Sequence, residues 1–245
     1  MKDNFSHRAL IYAQYRPHYP EELFAYIMRF VEDKKLAWDC GTGNGQSARS
    51  LSNYFEKIIA TDISQKQIDN AYQAPNIFYV VEPAEKTGIE EKSVNLVTVA
   101  QAIHWFNFEK FYAEVNRVAK PGAVIAAWTY SLLRISKEID ELMNEYHYKT
   151  LKNYWDPERK YVDEGYAGIP FPFTKIETPG FHIEANWCLE ELEGYLNSWS
   201  ALQKFIAANS YNPVNELVNK IRQQWGHSEK RQIFFPVHLK LGIIE

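Results

Sequence analysis

The run Asp39-Cys40-Gly41-Thr42-Gly43-Asn44-Gly45 joins a carboxylate to three glycines at alternate positions. Glycines so closely spaced let bare backbone approach a ligand, because no Cβ stands in the way. A strand-like segment, Leu36-Ala37-Trp38, precedes the run, and a helix-like one, Gln46 to Leu51, follows it. The N–H groups at such a helix start favour anionic partners. The dinucleotide fingerprint Gly-x-Gly-x-x-Gly would need a glycine at position 46, where Gln46 stands. The loop therefore reads as a nucleotide site of another kind than a nicotinamide one.

Asp62, followed by Ile63, ends a second apolar segment about 20 residues after the first glycine. An acid there accepts ribose hydroxyls and disfavours a 2′-phosphate; alone, it reads equally as a helix cap. Glu82-Pro83-Ala84-Glu85 follows a third such segment, where an adenine ring would lie. There the Ala84 N–H and the Glu85 carboxylate offer a donor and an acceptor, against the alternative of a solvated turn. His104 and Trp105 follow the fourth segment. His104 is a candidate general base or a hydrogen-bonding wall, and Trp105 a wall whose ring face favours a cation.

The elements that must position these residues alternate. Helix-like apolar spacing starts after Tyr19-Pro20 with Leu23, Ile27, Phe30 and Val31. Strands are expected at 36–40, 57–61, 77–81, 94–100 and 123–130. Helices lie between them, Ser64 caps one, and Lys120-Pro121-Gly122 stops another. The continuous apolar run Ile77–Val81 reads as a strand buried in a parallel sheet. Alternating strand and helix predict a doubly wound, mostly parallel α/β sheet, with ligands beyond the carboxyl ends of its strands. Asp62, Glu85 and the residues after Ala100, Gln101 and Ala102, then share one edge with the glycine loop.

After about Ser131 the regularity breaks. Helix-like segments at 135–148, around Leu189–Trp199 and after Asn212-Pro213 surround an aromatic, Gly- and Pro-rich stretch at 153–172, with strand-like pieces in 176–188. Alternation returns in Phe235, Val237, Leu239, Leu241 and Ile243. The expected plan is a core with an N-terminal lid at 1–131, a helical cap with a returning strand at 132–230, and a last strand at 231–245.

Composition narrows the partners. The 245 residues carry a net charge of −4 without long single-sign runs, unlike a nucleic-acid binder. The two cysteines, Cys40 and Cys188, make neither a disulfide framework nor a zinc spacing, so no metal is expected. No segment is long and apolar enough to span a bilayer, and no signal-peptide pattern stands at the N-terminus, so a cytoplasmic protein is expected. Whether it is a monomer or a dimer stays open. Aromatics make up 15% of the chain, an unusual share, with many in the second half.

Taken together, Asp39-x-Gly41-x-Gly43-x-Gly45, Thr61-Asp62-Ile63-Ser64, Pro83-Ala84-Glu85 and Arg117–Gly122 resemble the class I S-adenosylmethionine-dependent methyltransferases over residues 36–130. A narrower likeness lies in Tyr12, Arg16-Pro17-His18-Tyr19-Pro20, Ala102–Phe111, Tyr154-Trp155 and Trp199-Ser200-Ala201. These are similar to the trans-aconitate methyltransferase group. The resemblance implies a Rossmann-like seven-stranded fold, S-adenosylmethionine as donor with S-adenosylhomocysteine as product, and a small-molecule acceptor such as a polycarboxylate. It also implies that Tyr12 and Arg16 fold over the cofactor. His104 and Trp105, with Tyr130, Trp155 and Trp199 from the cap, are candidates to line the acceptor pocket, against the alternative that the cap aromatics are core. Pro83 stands where the family often has an acid, which shifts the adenine contact to Glu85. Arg134 and Arg159 are candidates to receive an anionic acceptor. Methylation of an apolar hydroxylated or ring-carbon acceptor, and cofactor binding without catalysis, are the competing readings.

Overall fold

The structure is a computed structural model that describes residues 17–245; Tyr12 and Arg16 lie outside the described residues. Strands β1 (Leu36–Cys40), β2 (Lys57–Asp62), β3 (Ile77–Val81), β4 (Val94–Ala100) and β5 (Ala119–Tyr130) pair in parallel in the order β3-β2-β1-β4-β5. Strands β6 (Thr174–Ile176), β7 (Phe181–Trp187) and β8 (Arg231–Ile243) complete the sheet. β8 runs antiparallel to β5, and both β6 and β7 run antiparallel to β8.

Among the described residues the sheet thus has eight strands where seven were expected, five of them joined in parallel. The reason is a split outer lane. β6 lies beside Leu241–Ile243 and β7 beside Arg231–Val237, with Pro179-Gly180 interrupting the strand between them. Pro236, which has no N–H to donate, sits on β8 just beyond the last residue paired with β5.

Helix α1 (Glu21–Met28) precedes β1, α2 (Gln46–Leu51) joins β1 to β2, α3 (Gln65–Asp69) joins β2 to β3 and α4 (Phe108–Val118) joins β4 to β5. Between β3 and β4, residues 82–93 form turns rather than the helix that strict alternation would place there. Ser64 caps α3 by accepting from the Gln67 N–H, and Asn107 caps α4 by accepting from Lys110. Successive residues of β4 and β5 face opposite sides, as the pleat requires. Leu96, Val124, Ala126 and Trp128 join α1 and α2 in one apolar cluster, while Val97, Val99, Ile125 and Ala127 join α4 in another. β3 departs from its reading as a buried strand: Phe78, Val80 and Val81 are exposed. Its apolar run is the same as that of an inner strand, but its place at the sheet edge leaves it partnered on one side only.

After β5 come α5 (Lys137–Glu145), α6 (Arg159–Asp163), α7 (Leu189–Asn197), α8 (Ser200–Asn209) and α9 (Val214–Trp225). A single π turn, Tyr146–Thr150, prolongs α5. Leu192, Tyr195, Trp199, Leu202, Leu217 and Ile221 carry the first apolar cluster away from the sheet, continuous with Tyr130 and Phe235. Among the described residues, no helix is long and apolar enough to cross a membrane.

Candidate active site

The glycine loop is held from below by Asp39. Its fully buried carboxylate accepts from the Thr42 hydroxyl at 2.5 Å and the Thr98 hydroxyl at 2.7 Å. Burial pushes its pKa up to about 6, against the pull of those two bonds. The Thr42 N–H reaches the Thr61 carbonyl at 2.9 Å, so the loop is tied to the end of β2 as well. Gly41, Gly43 and Gly45 all lie at positive φ. A Cβ on Gly41 would stand 2.6 Å from the Ala102 Cβ, whereas one on Gly43 would meet nothing within 4 Å. The loop is therefore closed against Ala102 on one side and open at Gly43.

Asp62 closes the next side. One oxygen accepts from the Gly43 N–H and the other from the Ser64 N–H, each at 2.9 Å. Ile63, half-buried, sits between those two anchors. Ala84 is buried, and its N–H bonds to no other described residue. Glu85 accepts from the Asn107 N–H at 2.9 Å, so the residue expected at the adenine amine also holds the start of α4. Gln101 adopts a φ of +54°, a rare conformation for a non-glycine residue. It is fixed there because its N–H donates to the Trp128 carbonyl and its side-chain oxygen accepts from the Thr129 hydroxyl.

Gln101 also borders a second cavity, which opens beyond the ends of β4 and β5. His104, Trp105, Tyr130, Trp155 and Trp199, the residues expected in an acceptor pocket, all line it. So do Ser131, Leu132, Asp156, Arg159, Val162 and Tyr195. His104 is buried, with Nδ1 2.9 Å from the Tyr166 hydroxyl. Burial, and then the charge of Arg159, push its pKa down to about 3. Arg159 stacks 4.6 Å above the Trp155 ring and donates from Nε to Asp163 at 3.0 Å. The same Asp163 oxygen lies 3.2 Å from Nε2 of the fully buried His147, whose carbonyl accepts from the Trp155 indole N–H. Burial raises the Asp163 pKa, but the His147 and Arg159 contacts together outweigh it and hold the group below its usual range. The other guanidinium nitrogens of Arg159 make no hydrogen bond among the described residues.

A family model described as a methyltransferase domain matches residues 38–127. A methyltransferase of Dictyostelium discoideum is 34% identical, over 98% of this chain and 94% of its own length. The solved structure of a type II methyltransferase from Anaeromyxobacter dehalogenans is 38% identical, with a TM-score of 0.87 over 94% of this chain and 98% of that one. The chain belongs to the methyltransferase family. A Saccharomyces cerevisiae relative named as an S-adenosylmethionine-dependent methyltransferase is 30% identical, over 49% of this chain and 44% of its own.

The methyl donor of this methyltransferase is S-adenosylmethionine. The glycine-loop cradle has the chemistry such a cofactor needs: an open face at Gly43, a carboxylate at the end of β2 and an Ala84 N–H that bonds to no other described residue. Arg134 is not brought to the cavity that His104 and Arg159 line; its side chain is exposed, and its backbone bridges to Phe234. Sequence reasoning missed Tyr195, Tyr166, Asp163 and His147. Tyr195 had a signal, since it precedes Trp199 by one helical turn. Tyr166, at a φ of +64°, had none, because its approach to His104 depends on a turn no local pattern marks.

Proposed function

We propose that this methyltransferase esterifies a carboxylate of a small molecule. The observation that carries this reading is Arg159. Its guanidinium is stacked on Trp155 and fixed through Nε, and it borders the cavity with its remaining donors unengaged among the described residues. A planar fork so held is suited to bidentate recognition of a carboxylate.

The electrostatics of His104 support the same reading. A general base works best with a pKa near the working pH, and His104 is held near 3. Hydroxyl and amine acceptors need a proton removed during transfer, whereas a carboxylate is already ionised at neutral pH. S-Adenosylmethionine, when bound, supplies a methyl group activated on a sulfonium. The acceptor oxygen forms the new C–O bond as the S–CH₃ bond breaks, and the bonding pair stays on sulfur. The two opposite charges cancel, so no proton has to move. In this reading the protein orients the acceptor and keeps water out. His104 and Trp105 are walls of the pocket; Asp62, Ile63, Ala84, Glu85, Gln101 and Ala102, with the glycine loop, hold the cofactor.

Trans-aconitate, the acceptor implied by the motif likeness, is one member of the carboxylate class. The aromatic walls favour the competing reading, methylation of a phenol or ring carbon, and product chemistry separates the two. With a labelled methyl donor and a panel of carboxylates and phenols, the product should be a methyl ester that releases labelled methanol in mild alkali. A product that keeps its label in alkali overturns the ester reading.

A further inference from the structure

The lining of the acceptor cavity limits the charge and shape of what it takes. Among the described residues that border it, Arg159 is the one cation and Asp156 the one acid. His104 stays neutral, because burial and Arg159 both oppose its protonation. Asp156 is held by the Lys204 ammonium at 2.6 Å, which turns that cation away from service to a ligand. Arg159 itself already shares its charge with Asp163. The described lining can therefore answer about one negative charge.

Aromatic rings make up much of the remaining lining, beside Gln101, Ser131 and Ser200. Trp155 and Trp199 lie 5.5 Å apart, centroid to centroid, and Tyr195 meets Trp199 edge-on at 5.8 Å. Trp105, Tyr130, Leu132 and Val162 continue this surface. A tricarboxylate such as trans-aconitate would bring two further carboxylates against these rings or against Asp156. Burying an unpaired carboxylate costs several kcal/mol (order of magnitude). A flat ring, by contrast, gains area and edge-to-face contact with such a wall.

We propose that the acceptor is a monocarboxylate with a planar apolar body, an arenecarboxylate or arylacrylate, with its carboxylate on Arg159 and its ring against the Trp155–Trp199–Tyr195 wall. This rests on the carboxylate reading above and narrows it. Asp163 and His147 are positioning residues in this arrangement, because they fix the Nε edge of Arg159 and leave the opposite edge to the ligand.

The test is calorimetric titration of the full chain, saturated with S-adenosylhomocysteine, with cinnamate, cinnamamide and trans-aconitate. Cinnamate should bind at least about tenfold more tightly than either of the others, a difference of about 1.4 kcal/mol. Arg159→Leu should bring cinnamate down to the affinity of cinnamamide, and Arg159→Lys, which keeps the charge but loses the fork, should restore only part of it. Both variants should bind S-adenosylhomocysteine within about twofold of wild type, which shows that they are folded. Trans-aconitate binding as tightly as cinnamate overturns the proposal and leaves the carboxylate reading standing. Cinnamamide matching cinnamate in the wild type overturns both. Absence of cinnamate binding at millimolar concentration overturns the proposal.

Discussion

The proposed donor and acceptor sides of this methyltransferase are built from different materials. Around Gly43 the site is backbone: left-handed glycines, and a carboxylate that accepts from the Gly43 N–H and anchors the loop. Around Arg159 it is side chain: a guanidinium, three tryptophans and two tyrosines, carried by the ends of β4 and β5 and by segments that follow. A backbone site tolerates few residue types at each position, because φ and close approach decide what fits. A side-chain site can be rebuilt from many residues that fill the same space. The first should therefore fail sharply under small substitutions, and the second should shift its selectivity first.

The largest expected effect lies in the glycine loop. At Gly41 an added Cβ meets Ala102 at 2.6 Å with φ at +66°, so Gly41→Ala must displace the loop or the segment after β4. Binding of S-adenosylhomocysteine should fall by more than about a hundredfold, with a lower melting temperature. Gly43→Ala sharpens the comparison, since its Cβ would point into open space. Stability should drop by only the roughly 1–2 kcal/mol of left-handed strain, while adenosyl binding falls well beyond that. Unchanged binding by calorimetry would mean that the open face at Gly43 does not belong to the cofactor.

On the acceptor side, Arg159→Leu should lower kcat/KM for the acceptor by about a hundredfold, roughly 2.7 kcal/mol, as expected when a charged hydrogen-bonded pair is lost. The adenosyl dissociation constant should stay put. Parallel losses in both would make Arg159 a residue of the whole fold, and the division between the two sides would not stand.

That division also explains what the sequence made legible. Asp39, Gly41, Gly43 and Gly45 were readable because their spacing is imposed by a strand turning into a helix. Asp62 was readable because β2 must end beside that turn. The five expected pocket residues do gather in one cavity; motif stretches hold His104, Trp105, Trp155 and Trp199, and Tyr130 ends the fifth strand. Asp163 stands four residues after Arg159, the spacing of a helical ion pair, but the stretch 153–172 reads as aromatic, Gly- and Pro-rich rather than helical. His147 meets Asp163 through a π turn and that short helix, an approach no local pattern marks. The eighth strand escaped for a related reason. β6 has three residues and a partly exposed pattern, too short for any periodicity to show. β3 misled because an apolar run marks a strand but says nothing of how many neighbours it will have.

Asp62→Ala is a smaller test on the donor side. It removes the acceptor of the Gly43 and Ser64 N–H groups and, in the reading above, of the ribose hydroxyls. Adenosyl affinity should fall about tenfold, near 1.4 kcal/mol. An unchanged dissociation constant would remove Asp62 from the cofactor site and leave it as a loop anchor.

The smallest effect is expected at His104, and it decides between wall and base. His104→Gln keeps a polar group near the Tyr166 hydroxyl, so turnover of a carboxylate acceptor should stay within about threefold of wild type. A general base would contribute about 10²–10⁴-fold. With the His104 pKa held near 3, no inflection from this group should appear in kcat/KM between about pH 6 and 9. Its signature belongs in stability instead. The folded pKa lies below the unfolded value, so between about 3 and 6.5 the unfolded chain binds the extra proton. The contribution of neutral His104 is therefore full above about pH 6.5 and is lost as pH falls toward 3. Asp39, whose folded pKa is raised to about 6, acts in the opposite direction and partly masks this slope between about pH 4 and 6. The difference between His104→Gln and wild type isolates it, since Asp39 is common to both. The variant should lose less of its melting temperature between pH 7 and pH 5 than the wild type does. Equal losses in the two proteins would mean that His104 takes up its proton in the folded state, and the pocket would then hold a base after all.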